Sequence, residues 1–174
     1  MFNGTTATDI VSWNGTTPSA ITQGGMSGGV NALAFDTSGN VYVGGSFASA
    51  GGVANTSYIA KWNGSSWSAL GTGMNGDVSA LVYDSTNNVL YAGGTFTTAG
   101  GVTVNRVAKW NGTSWTALGT TGVSGTSAAV YALAMDSSGN NLYAGGNFTT
   151  AGGVTVSNIA KWNGSAWSVY WSAH

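Results

Sequence analysis

The residues with chemistry to offer are few. Four cations, Lys61, Arg106, Lys109 and Lys161, face five acids, Asp9, Asp36, Asp77, Asp84 and Asp136; there is no glutamate, no cysteine, and one histidine, His174, at the last position. Asp36, Asp84 and Asp136 each follow an apolar run and precede a Ser/Thr-rich turn. Glycosidase-type catalysis needs two carboxyls converging on one bond, whereas these three recur one per unit along the chain. Calcium needs several clustered oxygen ligands, and the sequence gathers none; Asp9 and Asp77 are isolated. The expected role of the three recurring acids is structural, a carboxylate that accepts backbone N–H groups two residues on, an Asx-turn. With no cysteine there is no disulfide, thiolate or Cys-ligated zinc. No catalytic residue, metal site or cofactor is expected, and the chain is not expected to be an enzyme.

Three tryptophan pairs, Trp62/Trp67, Trp110/Trp115 and Trp162/Trp167, have the chemistry of a sugar-stacking surface. Their unit-by-unit recurrence favours the plainer role of stapling a hairpin, with cross-strand aromatic contacts of about 1 kcal/mol. The Asn-X-Ser/Thr triplets at Asn63, Asn111, Asn147 and Asn163 are glycosylation acceptors only in a secretory pathway, and most sit in Asn-Gly turns. Positions where the internal copies disagree are where a binding surface would be written, although drift at tolerant exposed sites produces the same pattern. Four residues before the first Trp of each pair stand Tyr58, Arg106 and Asn158, the candidate binding residues. The end of the chain departs too. Val169-Tyr170-Trp171 replaces Ala69-Leu70-Gly71 and Ala117-Leu118-Gly119, which makes Tyr170 and Trp171 candidates for an oligomer contact.

These residues are positioned by a repeat. Trp13, Trp62, Trp110 and Trp162 are separated by 49, 48 and 52 residues, a period in the range of propeller arrays. Each full unit reads as four strands. An apolar strand such as Val30–Phe35 is followed by a turn, a second strand ending in Gly-Gly, a glycine-rich loop, a third strand ending in Lys-Trp, an Asn-Gly turn and a short fourth strand. Asn-Gly between apolar runs is a strong hairpin signal, because both residues tolerate positive φ. Runs such as Ala32-Leu33-Ala34-Phe35 are apolar on both faces, as a sheet covered on both sides requires. The glycine pairs Gly44-Gly45, Gly93-Gly94 and Gly145-Gly146 suit places where backbones crowd. The opening, with strand-like runs at Asp9–Trp13 and Ser19–Thr22, fits the second half of a unit, and Phe2 fits the Phe that follows each Gly-Gly. The expected organisation is a single repeat module over 1–174: a partial blade over 1–27 and whole blades over 28–75, 76–122 and 123–174.

Tyr91-Ala92-Gly93-Gly94, then a loop, then Trp110, Trp115 and Leu118 resemble the kelch repeat over nearly the whole chain. Trp-Asn-Gly stands where kelch repeats often have Tyr-Asp-Pro, and the inserted Phe-Thr-Thr-Ala-Gly-Gly-Val loop is similar to repeats of large bacterial surface proteins and phage proteins. The resemblance implies an all-β propeller of four-stranded antiparallel blades and no single activity. Among kelch-like propellers is a copper-radical oxidase that needs a Tyr–Cys crosslink and His ligands, and other propellers are sialidases that need an arginine cluster. This chain has no cysteine, one terminal His174 and one arginine, Arg106.

The charge balance, a formal −1, supplies no basic face for nucleic acid and no polybasic patch for a membrane. No apolar run approaches the roughly 20 residues of a membrane-spanning helix. The opening lacks the basic and apolar regions of a secretory signal, so export by another route, trimming, or release by lysis is expected. A surface built from Ser, Thr, Asn and Gly fits an extracellular or virion setting. About three and a half units are too few to close a ring of roughly 4–8 blades, and an open arc leaves two apolar faces. Self-association is therefore expected, a dimer of about seven units first, with a trimer of arcs, a larger surface assembly or a longer array as competitors. A structural or adhesive role is expected ahead of a lectin with one shallow glycan site per blade.

Overall fold

The computed structural model describes residues 10–13, 15–21, 24–124 and 128–170, and every regular element among them is a β-strand. A hairpin of β1 (Val11–Trp13) and β2 (Pro18–Ala20) comes first. The first four-stranded antiparallel sheet is β3 (Val30–Phe35), β4 (Val41–Gly45), β5 (Ile59–Trp62) and β6 (Trp67–Ser68). The second starts with β7 (Val78–Asp84) and β8 (Val89–Gly94), is interrupted by a small hairpin of β9 (Thr98–Ala99) and β10 (Val102–Thr103), and ends with β11 (Val107–Trp110) and β12 (Trp115–Ala117). After β13 (Val123–Ser124) the third repeats this order: β14 (Ala129–Met135), β15 (Leu142–Asn147), the hairpin β16 (Thr150–Ala151) and β17 (Val154–Thr155), then β18 (Ile159–Trp162) and β19 (Trp167–Val169).

The first strands lie side by side, β3 against β7 and β7 against β14, the radial arrangement of propeller blades around an axis. Burial follows from it. β4 and β8, with a neighbour on each side, are buried almost residue by residue, whereas β15 buries only Leu142 and Ala144 fully because only one of its faces is covered. The cores are therefore interfaces between sheets. One joins Tyr42 and Ile59 to Val78 and Leu90, and the next joins Tyr91 and Val107 to Val130 and Leu142. A third sets Ile10 and Ile21 of the opening hairpin against Met26, Val43 and Trp67. Phe47, Phe96 and Phe148, just past the Gly-Gly pairs, are fully buried, each a stabilisation of roughly 1.5–3 kcal/mol.

The outer turns differ in detail from the sequence expectation. Four residues, Asn63 to Ser66, separate the paired Trp62 and Trp67, and of the Asn-Gly dipeptide only Gly64 has positive φ, at 97°. Asn63 acts through its side chain, whose Oδ1 accepts the N–H groups of Ser65 and Ser66 at 3.0 and 2.9 Å; Asn111 and Asn163 do the same. The loop is an Asx-turn rather than two consecutive left-handed residues. Phe2, Asp9, Asn14, Thr22, Trp171 and His174 lie outside the described residues.

Candidate functional site

Each first strand carries a bulge at its start, between Val30 and Ala32, Val78 and Ala80, and Val130 and Ala132. The extra residues, Asn31, Ser79 and Tyr131, stand at the end of the sheet where the second strand finishes in Gly-Gly. Asn31 spends its amide on the neighbouring blade, donating to the Val78 carbonyl at 3.3 Å, while Tyr131 remains 59% exposed.

Tyr58, Arg106 and Asn158 occupy this same end, one per blade. All three have left-handed backbones, at φ 65°, 72° and 65°, a conformation that costs a side-chain-bearing residue about 1–2 kcal/mol. Its return is a closed pair of hydrogen bonds across the loop. The Tyr58 carbonyl accepts from Gly45 N–H while Tyr58 N–H donates to the Phe47 carbonyl, at 3.0 and 2.9 Å; Arg106 and Asn158 repeat this with Gly94/Phe96 and Gly146/Phe148. The side chains of the first two reach toward the following blade. Tyr58 packs against the core between the first and second sheets, and Arg106 Nε donates to the Ala128 carbonyl at 3.1 Å. Asn158, on the third sheet, is exposed. The three are equivalent in position, but neither cleft described below is lined by any of them.

The three recurring aspartates are occupied by their own turns. Asp36 Oδ1 accepts from Ser38 and Asn40 N–H at 2.9 Å each, and Oδ2 accepts from the Asn40 side chain at 2.7 Å. Asp84 is bound alike by Thr86 and Asn87, and Asp136 by Ser138, Asn140 and Asn141. Burial pushes the Asp36 carboxyl up, but the bonds from Asn40 and Ser38 and the charge of Lys61, 3.4 Å away, bring it below the ordinary value. For Asp136 the Asn141 and Ser138 side chains dominate and hold the carboxyl down at about 2. A carboxylate held ionised by donors from its own turn is poorly disposed to take up a proton. Among the described residues no three His, Cys, Asp or Glu side chains gather as a metal site would need.

The paired tryptophans staple their hairpins. Each pair is in cross-strand register with ring centroids 5.1–5.5 Å apart, and all but Trp62 are buried. The second Trp is also a clasp between blades: Trp115 Nε1 donates to the Leu70 carbonyl at 3.0 Å, and Trp167 Nε1 to the Leu118 carbonyl at 2.9 Å. Trp67 Nε1 is buried with no partner among the described residues.

Open clefts among the described residues include two that bear on binding. One, of ≈ 300 Å³, lies between glycine-rich loops of adjacent blades and is lined by Gly119, Thr120, Gly152, Val154 and the edges of Trp162 and Trp167. The other, of ≈ 320 Å³, is on the uncovered side of the third sheet, among Val156, Ile159, Val169 and Tyr170. Ile159 is 38% exposed, while its equivalents Ile59 and Val107 are fully buried by a following blade. Tyr170, singled out in the sequence because the last unit departs from the others there, lines this cleft; Ile159, and Leu33 and Phe35 on β3, escape a sequence reading, since the copies carry apolar residues there alike and only their place in the array differs.

A family model described as the Rax2 C-terminal beta propeller domain matches residues 6–168. No curated protein matches the sequence. Among solved structures the chain is similar to one described as the crystal structure of the Niastella koreensis GH74 enzyme, at 22% identity and a TM-score of 0.47; the match covers 80% of this chain and spans 22% of the length of that one.

Proposed function

The chain belongs to the family of the Rax2 C-terminal beta propeller domain, and from that premise we propose a non-catalytic structural and adhesive module of a virion or cell surface. It is built of kelch-like repeats and joins to further copies through its bare blade faces. The observation that carries this reading is the exposure of Ile159 where Ile59 and Val107 are fully buried: an apolar face built for a neighbouring sheet stands uncovered, and such faces mark association sites. The non-catalytic part is supported by the turn-bound aspartates and by Arg106, which is engaged with Ala128. The surface setting is supported by a composition with 5% charged residues and a polar surface of hydroxyls and amides. Light scattering over a dilution series tests it. The expected mass exceeds the 17.4 kDa of one chain and falls toward it on dilution; 17.4 kDa at every concentration overturns self-association.

A lectin is the second reading, favoured by the cleft between the glycine-rich loops, where backbone groups and the edges of Trp162 and Trp167 offer the mixed polar and aromatic lining that sugars use. Glycan-array binding abolished by Thr120→Trp, which places a ring at that cleft from an exposed position, supports it, and silence across the array removes it.

A further inference from the structure

The two internal junctions show what each end face is made to receive. At the first, Gly44 leaves room for the next sheet: a Cβ there would overlap the Val78 side chain and lie 3.3 Å from Leu81 Cδ1. At the second, a Cβ on Gly93 would meet Val130 Cγ1 at 2.6 Å and Leu133 Cδ1 at 3.3 Å. Beside each socket, an aromatic of the second strand meets the aromatic or methionine near the end of the next first strand. Tyr42 stacks on Tyr83 with centroids 5.9 Å apart, and Tyr91 shares a core with Met135.

At the ends of the chain the same parts stand unmatched. The equivalent socket glycine is Gly145, whose Cβ would meet nothing closer than the Ala132 Cβ at 4.0 Å. Tyr143, equivalent to Tyr42 and Tyr91, meets Tyr170, just past the end of its own sheet, edge-on at 5.6 Å. On the opposite face, the residues equivalent to the inserting side chains are Val30, Leu33 and Phe35. Leu33 is 47% and Phe35 62% exposed, although Leu81, Tyr83, Leu133 and Met135 are packed into junctions. One face is thus all sockets and the other all knobs, and both follow one template.

We propose that the bare face of the third sheet binds β3 of a second copy of this chain, head to tail. Gly145 receives the second copy's Val30 and Leu33, and Tyr143 stacks on its Phe35. This rests on the self-association reading above and assigns it a partner, a polarity and contact residues. The hairpin β1–β2 corresponds in sequence to β18–β19, with Ile10 at the place of Ile159 and Ile21 at that of Tyr170. It covers the outer half of the first sheet through Ile10 and Ile21, so in the complex it gives way to the partner's β18–β19. The interface is heterologous and closes into a ring or extends as a filament according to the angle per copy. Two copies joined at both ends close six sheets, within the roughly 4–8 blades of propellers.

Two variants separate this interface from association in general. Leu33→Glu charges the knob face at an exposed position, and Gly145→Leu fills the socket where there is free space, so both leave the single chain folded, as its thermal unfolding at low concentration verifies. Sedimentation velocity over a dilution series is expected to show each variant alone weakened at least about thirtyfold in self-association. An equimolar mixture of the two regains a one-to-one complex, because each variant keeps one intact face. Variants that associate like the parent, or a mixture that stays monomeric while the parent associates, overturn the head-to-tail assignment and leave self-association standing. A parent that is monomeric throughout overturns both.

Discussion

Asp136 shows how far a single side chain can be followed. Its carboxyl is held at about 2 against an ordinary 3.8, chiefly by Asn141 and Ser138. The folded value lies below the unfolded one, so this contribution is fully present above about pH 4 and disappears as pH falls through 2; Asp36 is shifted in the same direction. Asp136→Asn is therefore expected to lower the urea midpoint at pH 7, and the gap to the parent is expected to close between pH 4 and 2. A gap that persists unchanged at pH 2 would remove the carboxylate from the account. The turn role of these acids was legible because Asp before Ser, Thr and Gly has few other uses. Their second partners, Asn40, Asn87 and Asn141, were not, since the spacing from the acid varies from 3 to 5 residues. Nor was the left-handed backbone at Tyr58 and Arg106. Only the third copy, Asn158, has a side chain that advertises such a conformation, and the other two are held there by the reciprocal bonds across the loop.

At the scale of the element, the strands and their order follow from features local in sequence: apolar runs, Gly-Gly endings and turn residues at fixed intervals. What the repeat hides is that equivalent glycines serve two purposes. The second of each pair, as at Gly94, closes on the backbone of its own sheet, at Asp77, whereas the first faces the next blade. Gly93→Ala is expected to cost about 1–3 kcal/mol through overpacking against Val130, and Gly145→Ala less than about 0.5 kcal/mol in the single chain; urea unfolding compares the two directly. The tryptophan clasp gives a second internal control. Trp115→Phe removes a buried bond to the Leu70 carbonyl and leaves that acceptor unpaired, while Trp67→Phe removes a buried N–H that has no partner among the described residues. The first substitution is expected to cost about 1–3 kcal/mol more than the second. Equal costs would mean that the inter-blade bond contributes nothing beyond ring packing.

For the whole molecule, stability and assembly are one question. Each core lies between sheets, so the third sheet is covered on one side only and the first has its outer half covered by a hairpin. The propeller class was legible because it depends on the unit, and the number of units together with the departing Tyr170 pointed to open ends; the exposure of Leu33, Phe35 and Ile159 was not legible, because equivalent positions are apolar in every unit. A partner that binds only the folded chain stabilises it by mass action, and each tenfold rise in concentration above the dissociation constant adds about 1.4 kcal/mol. The Tm of the parent is therefore expected to climb with protein concentration, and that of Leu33→Glu to stay flat. A flat parent curve with an intact fold would mean that the open faces tolerate water unaided. In that case the hydroxyl- and amide-rich surface between the blades, rather than their ends, would be the place to look for what this protein holds.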